Sequence, residues 1–419
     1  MRVTGTVRVP GDKSISHRAL ILGALSTGTG RVRGVLDSAD VRATAGVLRA
    51  LGAGVPALSP DMPVTGKGTR ALRQAAGPLD CANSGTSARL MAGVLAGHPF
   101  TSTLVGDASL SRRPMQRVAR PLAAMGASFE LAPGGTLPMT VHGTELASIE
   151  WTSEAASAQV KSALLLAGLV AGVEVTVREP SRSRDHTERM LAARGAEVWV
   201  NEQAVMLWPT GALDAADVDV PGDPSSAAFF VAVASLASEG TLTLPEVGLN
   251  ETRIGFLKAL VRMGGAIAVE DERQAGGEPV GTLRASAGPL RGVRIGGDEV
   301  PSLIDELPLL ACLAAHAEGE TEIRGAAELR VKESDRIAAV VENLRAVGAD
   351  ADELPDGMVV RGADRPLRGA IRTHGDHRIA MAFGVLGTRE GNEVAVDDPA
   401  CVDVSYPSFW HDLARVTGA

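Results

Sequence analysis

The hexapeptide LRALGA at residues 48–53 returns as LAAMGA at 122–127, LAARGA at 191–196, LVRMGG at 260–265 and LRAVGA at 344–349. A looser copy, LARVTGA, occupies 413–419. Successive glycines of the set lie 74, 69, 69, 84 and 70 residues apart. Leucine four positions before glycine is the ending of a helix that buries its last apolar residue and then turns on a left-handed glycine. The residues after the glycine alternate like a strand, as in AEVWV at 196–200 and GAIAVE at 265–270. The spacing therefore predicts six units of about 70 residues, each read as strand, helix, strand, helix, strands.

Each unit also holds an earlier helix of small and apolar residues. The copies are SHRALILGALSTG, SGTSARLMAGVLAG, SAQVKSALLLAGLVAG, SSAAFFVAVASLASEG, LIDELPLLACLAAHAEG and HRIAMAFGVLGT. A helix with so little polar face belongs inside a domain. Two strings, VPGDKSISHRAL from Val9 and VPGDPSSAAFF from Val220, match at a half-chain offset. This match predicts two homologous α/β domains of three units each, with a cleft between them. The long interval of 84 contains DERQAGGEPVG at 271–281, which reads as an exposed hairpin insertion.

Composition narrows the function. The chain has 419 residues, 41 basic and 50 acidic, a net charge of −9 and only 3% aromatic residues. That argues against nucleic acid, which asks for a basic field and stacking rings. On charge alone the expected ligand is neutral or cationic. No stretch approaches the ~20 apolar residues of a membrane span, and the first residues lack a signal-peptide core. Cys81, Cys312 and Cys401 match neither a disulfide framework nor a metal-ligand spacing. The expectation is a cytoplasmic protein.

Polar residues concentrate at the entries of the small-residue helices. GDKSISHR offers Lys13, Ser14 and Arg18, an ammonium, a hydroxyl and a guanidinium where a helix dipole favours anions. It also reads as a capped helix with solvated charges. Asp12 before the lysine excludes a Walker loop, and GTGRVRG at 28–34 misses the dinucleotide spacing. CANSGTSAR supplies Asn83, Gly85 and Arg89, and SLSRRPMQR supplies Arg112, Arg113 and Arg117. SEAASAQVKS opens a helix with Ser157, Gln159 and Lys161, and EPSRSRDHTERM carries Arg184, Asp185 and His186. In VPSLIDELP the acids Asp305 and Glu306 interrupt an apolar run, where they are costly unless paired or functional. ELRVKESDR carries Lys332, Glu333 and Arg336, also readable as a salt-bridged helix start. THGDHRIAM places Asp376, His377 and Arg378 at another helix entry. Many cations, a few carboxylates and no thiol suit a substrate with several phosphate and carboxylate groups and acid–base chemistry.

In this order, GDKSISHR, NSGTSAR, RRPM, ASAQVKSALLLAG, RDHTE, the aspartate of LIDELP, RVKESDR and GDHRIAM resemble the EPSP synthase family of enolpyruvyl transferases. The resemblance runs from about residue 5 to residue 410, and VKSALLLAG and RDHTE look more like its glyphosate-tolerant bacterial branch. It implies two similar domains, each of three βαβαββ units with pseudo-three-fold symmetry, an inside-out α/β barrel, with the active site in the interdomain cleft. One domain is then 13–222 and the other 1–12 plus 223–419, with crossings near 10–13 and 221–224.

The implied reaction moves the enolpyruvyl group of phosphoenolpyruvate to the 5-hydroxyl of shikimate 3-phosphate by addition–elimination, on the route to chorismate and aromatic amino acids. It implies no cofactor, no metal, no nucleic-acid or membrane partner, and a monomer. Carried over residue by residue, the shikimate 3-phosphate contacts fall on Lys13, Ser14, Arg18, Ser157, Ala158, Gln159, Arg184, Asp305 and Lys332. The phosphoenolpyruvate contacts fall on Lys13, Gly85, Arg113, Gln159, Arg336 and Arg378. Asp305 is the expected base at the hydroxyl. Lys13 and Glu333 are candidates for shuttling the carbon proton, Lys332 stands among the catalytic residues, and His377 orients neighbours.

Many members have lysine where this chain has Val404, and asparagine where it has Glu328, so phosphoenolpyruvate binding leans on Arg336 and Arg378. Tolerant relatives can carry alanine in the NxGT string, whereas Gly85 here implies sensitivity to glyphosate. The alternative is the related UDP-N-acetylglucosamine carboxyvinyltransferase. It would show Lys-Asn at 13–14 and a cysteine in the loop at 109–117, and this chain shows neither.

Overall fold

All six repeat glycines adopt the left-handed conformation, with φ of 85° at Gly52, 116° at Gly126, 82° at Gly195, 98° at Gly264, 90° at Gly348 and 70° at Gly418. The first five close their helices with the same pair of hydrogen bonds. The glycine N–H donates to the carbonyl three residues back, and the next N–H donates to the carbonyl of the repeat leucine, at 2.8–3.3 Å. This is the Schellman closure, and it explains the sequence signature. Glycine is needed for φ, and the leucine is the last residue that points inward. Leu48, Leu122, Leu191, Leu260 and Leu344 are all fully buried.

The computed structural model describes every residue except 203, 210 and 419. It divides into two units, Gly11–Val220 with Ala275–Glu278, and Met1–Pro10 with Pro221–Gln274 and Pro279–Ala419.

The first unit contains helices α1 (Lys13–Leu25), α2 (Ala39–Ala50), α3 (Gly85–Ala96), α4 (Gln116–Ala124), α5 (Ala158–Ala171) and α6 (His186–Ala192). Leu79–Asp80 pairs parallel with Thr101–Val105, which runs antiparallel to Thr136–His142, which in turn pairs antiparallel with Ser128–Ala132. Ile149–Thr152, Val175–Arg178, Ala204–Leu207 and Val198–Val200 repeat that order. The third sheet borrows its first strand from the end of the unit: Val218–Asp219 lies parallel to Thr27–Arg33, itself antiparallel to Asp61–Lys67. These are the βαβαββ units that the spacing predicts, closed into a ring. Almost every residue of α1, α3 and α5 is buried. Small residues let these inner helices touch: a β-carbon on Gly93 of α3 would lie 2.1 Å from the carbonyl oxygen of Ala163 in α5. One expectation needs correction. The insertion at 271–281 is a hairpin, Ala266–Ala275 with Glu278–Ser286, but its turn is not exposed throughout. Residues 275–278 cluster with the first unit, where buried Glu278 meets His186 at 2.8 Å.

The second unit repeats the plan with α7 (Pro224–Leu236), α8 (Gly255–Arg262), α9 (Leu307–Ala314), α10 (Arg336–Ala346), α11 (His377–Gly387) and α12 (Phe409–Thr417). Arg2–Thr6 pairs parallel with Glu239–Gly248 and supplies the missing first strand of its sheet. The sixth repeat is shorter than predicted. Among the described residues its sheet has two strands, Arg368–Ile371 and Glu393–Val396, and no closing hairpin. Aromatic packing fills this end of the unit. Phe409 meets Phe229 at 5.7 Å and Tyr406 at 5.8 Å between ring centroids, both edge-on, a favoured geometry. No helix among the described residues is long and apolar enough to cross a membrane.

Candidate active site

The inner helices of the first unit open with the residues singled out in the sequence. Each N-terminus carries a side-chain cap: Asp12 accepts from the N–H of Ile15, Ser84 from that of Ser87, and Ser157 from that of Val160. Capping satisfies part of the exposed backbone and leaves the positive end of the dipole for a ligand. Lys13 opens α1, and its ammonium lies 3.1 Å from Asp40 in the first turn of α2. Arg18, one turn on, is buried and donates to the carbonyl of Ser14 at 3.0 Å, to Thr187 at 2.6 Å and to Ser162 at 2.8 Å. Ser14 and Arg18, four positions apart, thus share one face of α1, and α1, α5 and α6 are gathered on one guanidinium.

Gly85 is the first residue of α3. A β-carbon there would lie 2.8 Å from Nη1 of Arg89 and 3.5 Å from Nη1 of Arg113, so glycine lets two guanidiniums close over the helix end. Arg113 is held by Asn83 at 2.7 Å and Ser109 at 3.2 Å. Gln159 of α5 accepts from Arg89 at 2.7 Å and donates to Thr86 at 3.0 Å. Ser157, Ala158 and Gln159 are half-buried at the start of α5, and half-buried Arg184 stands in the loop before α6.

A second cluster lies within the second unit. Asp305 sits in a 3-10 turn just before α9, and its Oδ1 is 3.4 Å from both Lys332 and Arg336. Nη2 of Arg378 stands 3.9 Å from Oδ2. Arg336 is 1% exposed and surrounded by acids: Glu333 at 2.7 Å, and Asp376 through Nε at 2.8 Å and Nη2 at 3.1 Å. Burial works against its charge, but Asp376 and Glu333 outweigh burial and raise its pKa. Asp376, fully buried, also caps α11 by accepting the backbone N–H of Arg378 at 3.0 Å. Burial would push its carboxyl up, yet the guanidinium prevails and holds it below the usual range. His377, the buried first residue of α11, lies beside this pair. The salt-bridged helix-start reading holds in part: Glu333 pairs with Arg336, the first residue of α10, while Lys332 and Glu333 themselves precede the helix. Glu328 and Val404, the departures from the family pattern, are half-buried in 3-10 turns.

Sequence reading missed the partners. Asp40 was not singled out, and Glu306 and Asp376 were noted as acids without the cations they hold. Asp40 looks like any first-turn helix acid, and nothing local ties it to Lys13. Glu306 is buried and accepts from Arg378 at 2.9 Å, which explains why an acid survives in that apolar run. Lys13, Lys332, Arg336 and Arg378 each face a carboxylate. The thiols play no visible part. Burial pushes Cys81 and Cys401 up to about 12, and Cys312 higher still.

Comparison with known proteins covers the whole of this arrangement. The family model described as EPSP synthase (3-phosphoshikimate 1-carboxyvinyltransferase) matches residues 1–413. A 3-phosphoshikimate 1-carboxyvinyltransferase of Alkalilimnicola ehrlichii is 51% identical over 97% of this chain and 91% of its own length. That of Gloeobacter violaceus is 48% identical over 99% and 97%. The solved EPSP synthase of Acinetobacter baumannii superposes with a TM-score of 0.87 at 40% identity, covering 99% of this chain and 96% of that one. The enolpyruvyl transferase NikO of Streptomyces tendae, at 18% identity and a TM-score of 0.75, shares the fold. The chain belongs to the EPSP synthase (3-phosphoshikimate 1-carboxyvinyltransferase) family.

Proposed function

We propose that the two clusters serve one reaction, in which the 5-hydroxyl of shikimate 3-phosphate attacks C2 of phosphoenolpyruvate. The observation that carries this reading is Asp305, a carboxylate set among Lys332, Arg336 and Arg378 at 3.4–3.9 Å. Asp305 takes the hydroxyl proton as the C–O bond forms, while a proton is delivered to the methylene carbon to give a tetrahedral intermediate. Loss of a proton from that carbon and cleavage of the C2–phosphate bond then release inorganic phosphate and restore the double bond.

Glu333, bound to Arg336, and Lys13, bound to Asp40, are the groups proposed to move the carbon proton, with Lys332 beside them. His377 orients its neighbours. Arg113, Arg336 and Arg378 hold phosphoenolpyruvate with Lys13, Gly85 and Gln159. Ser14, Arg18, Ser157, Ala158, Gln159 and Arg184 hold shikimate 3-phosphate with Lys13, Asp305 and Lys332. Fixed cations near developing charge lower the barrier without reorganisation. In this reading the enzyme works in the cytoplasm as a monomer, with no resident cofactor.

The test is phosphate release with purified protein. Shikimate 3-phosphate should support far more turnover than UDP-N-acetylglucosamine. Asp305→Asn should lower kcat by about 10²–10⁴-fold, the usual contribution of a positioned base, and leave shikimate 3-phosphate bound. Unchanged turnover would remove Asp305 from the role of base.

A further inference from the structure

Beneath the start of α5 lies a charged group that the proposed reaction does not use. Lys161 is 1% exposed, and its ammonium contacts Glu179 at 2.8 Å and Glu188 at 2.9 Å. Burial alone would discharge such an amine, but Glu188 and Glu179 outweigh it and raise its pKa, so the ammonium stays charged. The two carboxylates differ in what else they hold. Glu179 accepts the backbone N–H of Ser157 at 2.9 Å through one oxygen and the hydroxyl of Ser183 at 2.8 Å through the other. The same buried acid therefore ties down the N-cap of α5 and the residue just before Arg184. Glu188, on α6, meets the ammonium and hydrogen-bonds to neither segment.

We propose that Glu179 is a positioning residue for shikimate 3-phosphate, fixing Ser157–Gln159 and the Arg184 loop to one another with Lys161 as its anchor. The inference rests on the proposed assignment of the shikimate 3-phosphate contacts. A flexible helix entry would pay ordering entropy on each binding event, whereas one locked by three charge-assisted contacts does not. Of the proposed phosphoenolpyruvate contacts, Arg113 hangs on Asn83, and Gln159, shared with shikimate 3-phosphate, is held in addition by Arg89.

Glu179→Met and Glu188→Met make a matched pair, because each leaves Lys161 facing one carboxylate. Steady-state kinetics of the full chain should show the KM for shikimate 3-phosphate rising at least tenfold in Glu179→Met. The KM for phosphoenolpyruvate should stay within twofold. Glu179→Gln, which still offers an acceptor to Ser157, should recover to within about threefold of the parent. Ser183→Ala disturbs packing least and should raise the same KM about threefold, which keeps the test valid if Glu179→Met does not fold. An unmoved KM in both Glu179→Met and Ser183→Ala, or an equal rise in Glu188→Met, overturns the proposal. Absence of turnover in the parent protein would instead overturn the functional reading itself.

Discussion

Replacing Asp376 by Asn removes one charge and almost no volume from the centre of the second cluster. Oδ1 accepts from Nη2 of Arg336 and from the N–H of Arg378, while Oδ2 accepts from Nε of Arg336 and the hydroxyl of Ser334. An amide supplies only one acceptor. If its oxygen keeps the cap on α11, its NH2 group faces the Nε–H of Arg336, donor against donor. Asparagine remains a good cap, so that contribution survives. The loss is then one charge-assisted hydrogen bond, about 1.5–3 kcal/mol. It falls short of the 3–5 kcal/mol of a stranded buried charge, because Glu333 and Asp305 still face the guanidinium. For a unit of this size, about 2–4 °C of Tm goes with each kcal/mol, so the midpoint should fall by about 3–12 °C. The pH dependence adds a sign. The folded carboxyl lies below its unfolded value, so its stabilisation is complete above about pH 4 and is lost as pH falls through the folded pKa. The gap between parent and variant should therefore close in acid. Equal midpoints at pH 7 would refute the argument that this pair fixes Arg336.

Two other positions give measurable outcomes. Burial, with Lys13 and Arg18 nearby, holds the imidazole of His17 well below its usual pKa, against Thr44 at 2.7 Å. The unfolded chain takes up a proton below about pH 6.5 that the folded one refuses, so stability falls as pH drops from there. His17→Gln should flatten the fall between pH 7.5 and 5.5, by at most about 1.4 kcal/mol per pH unit; a urea midpoint with the parent's slope would sink this. Gly85→Ala must move Arg89 from 2.8 Å to the ordinary contact of 3.4 Å, although Gln159 and the carbonyl of Pro114 pin that side chain. The KM for phosphoenolpyruvate should rise about 3–10-fold, a cost of order 1 kcal/mol. The parent enzyme should be inhibited by glyphosate at concentrations near that KM, and an inhibition constant far above it would contradict the reading of Gly85.

The fold was legible because its rules are local. A Schellman closure needs glycine at one position and a buried leucine four earlier, and both leave marks in a single string. Small-residue helices announce themselves because a β-carbon at Gly93 would strike the next helix. Ser14 and Arg18 were readable as a pair for the same reason, lying one helical turn apart. Asp40 and Glu179 were not legible, and Glu306 was legible as an acid but not its partner Arg378. Each acts on a cation brought to it by another element, and no periodicity in one segment encodes a partner in another.

The net charge of −9 misled for a related reason, and the structure makes the error specific. In the second cluster, three cations (Lys332, Arg336 and Arg378) face four carboxylates (Asp305, Glu306, Glu333 and Asp376). In the first, Lys13 faces Asp40, while Arg18, Arg89 and Arg113 donate to hydroxyls, amides and carbonyls. At the inner-helix entries of the first unit the helix dipoles add positive potential to the cations, a setting that favours an anion. The acid-rich cluster holds its guanidiniums in fixed orientations, which suits stabilising charge that develops during reaction better than attracting charge from solution. A ligand responds to this division, and a sum over 419 residues erases it.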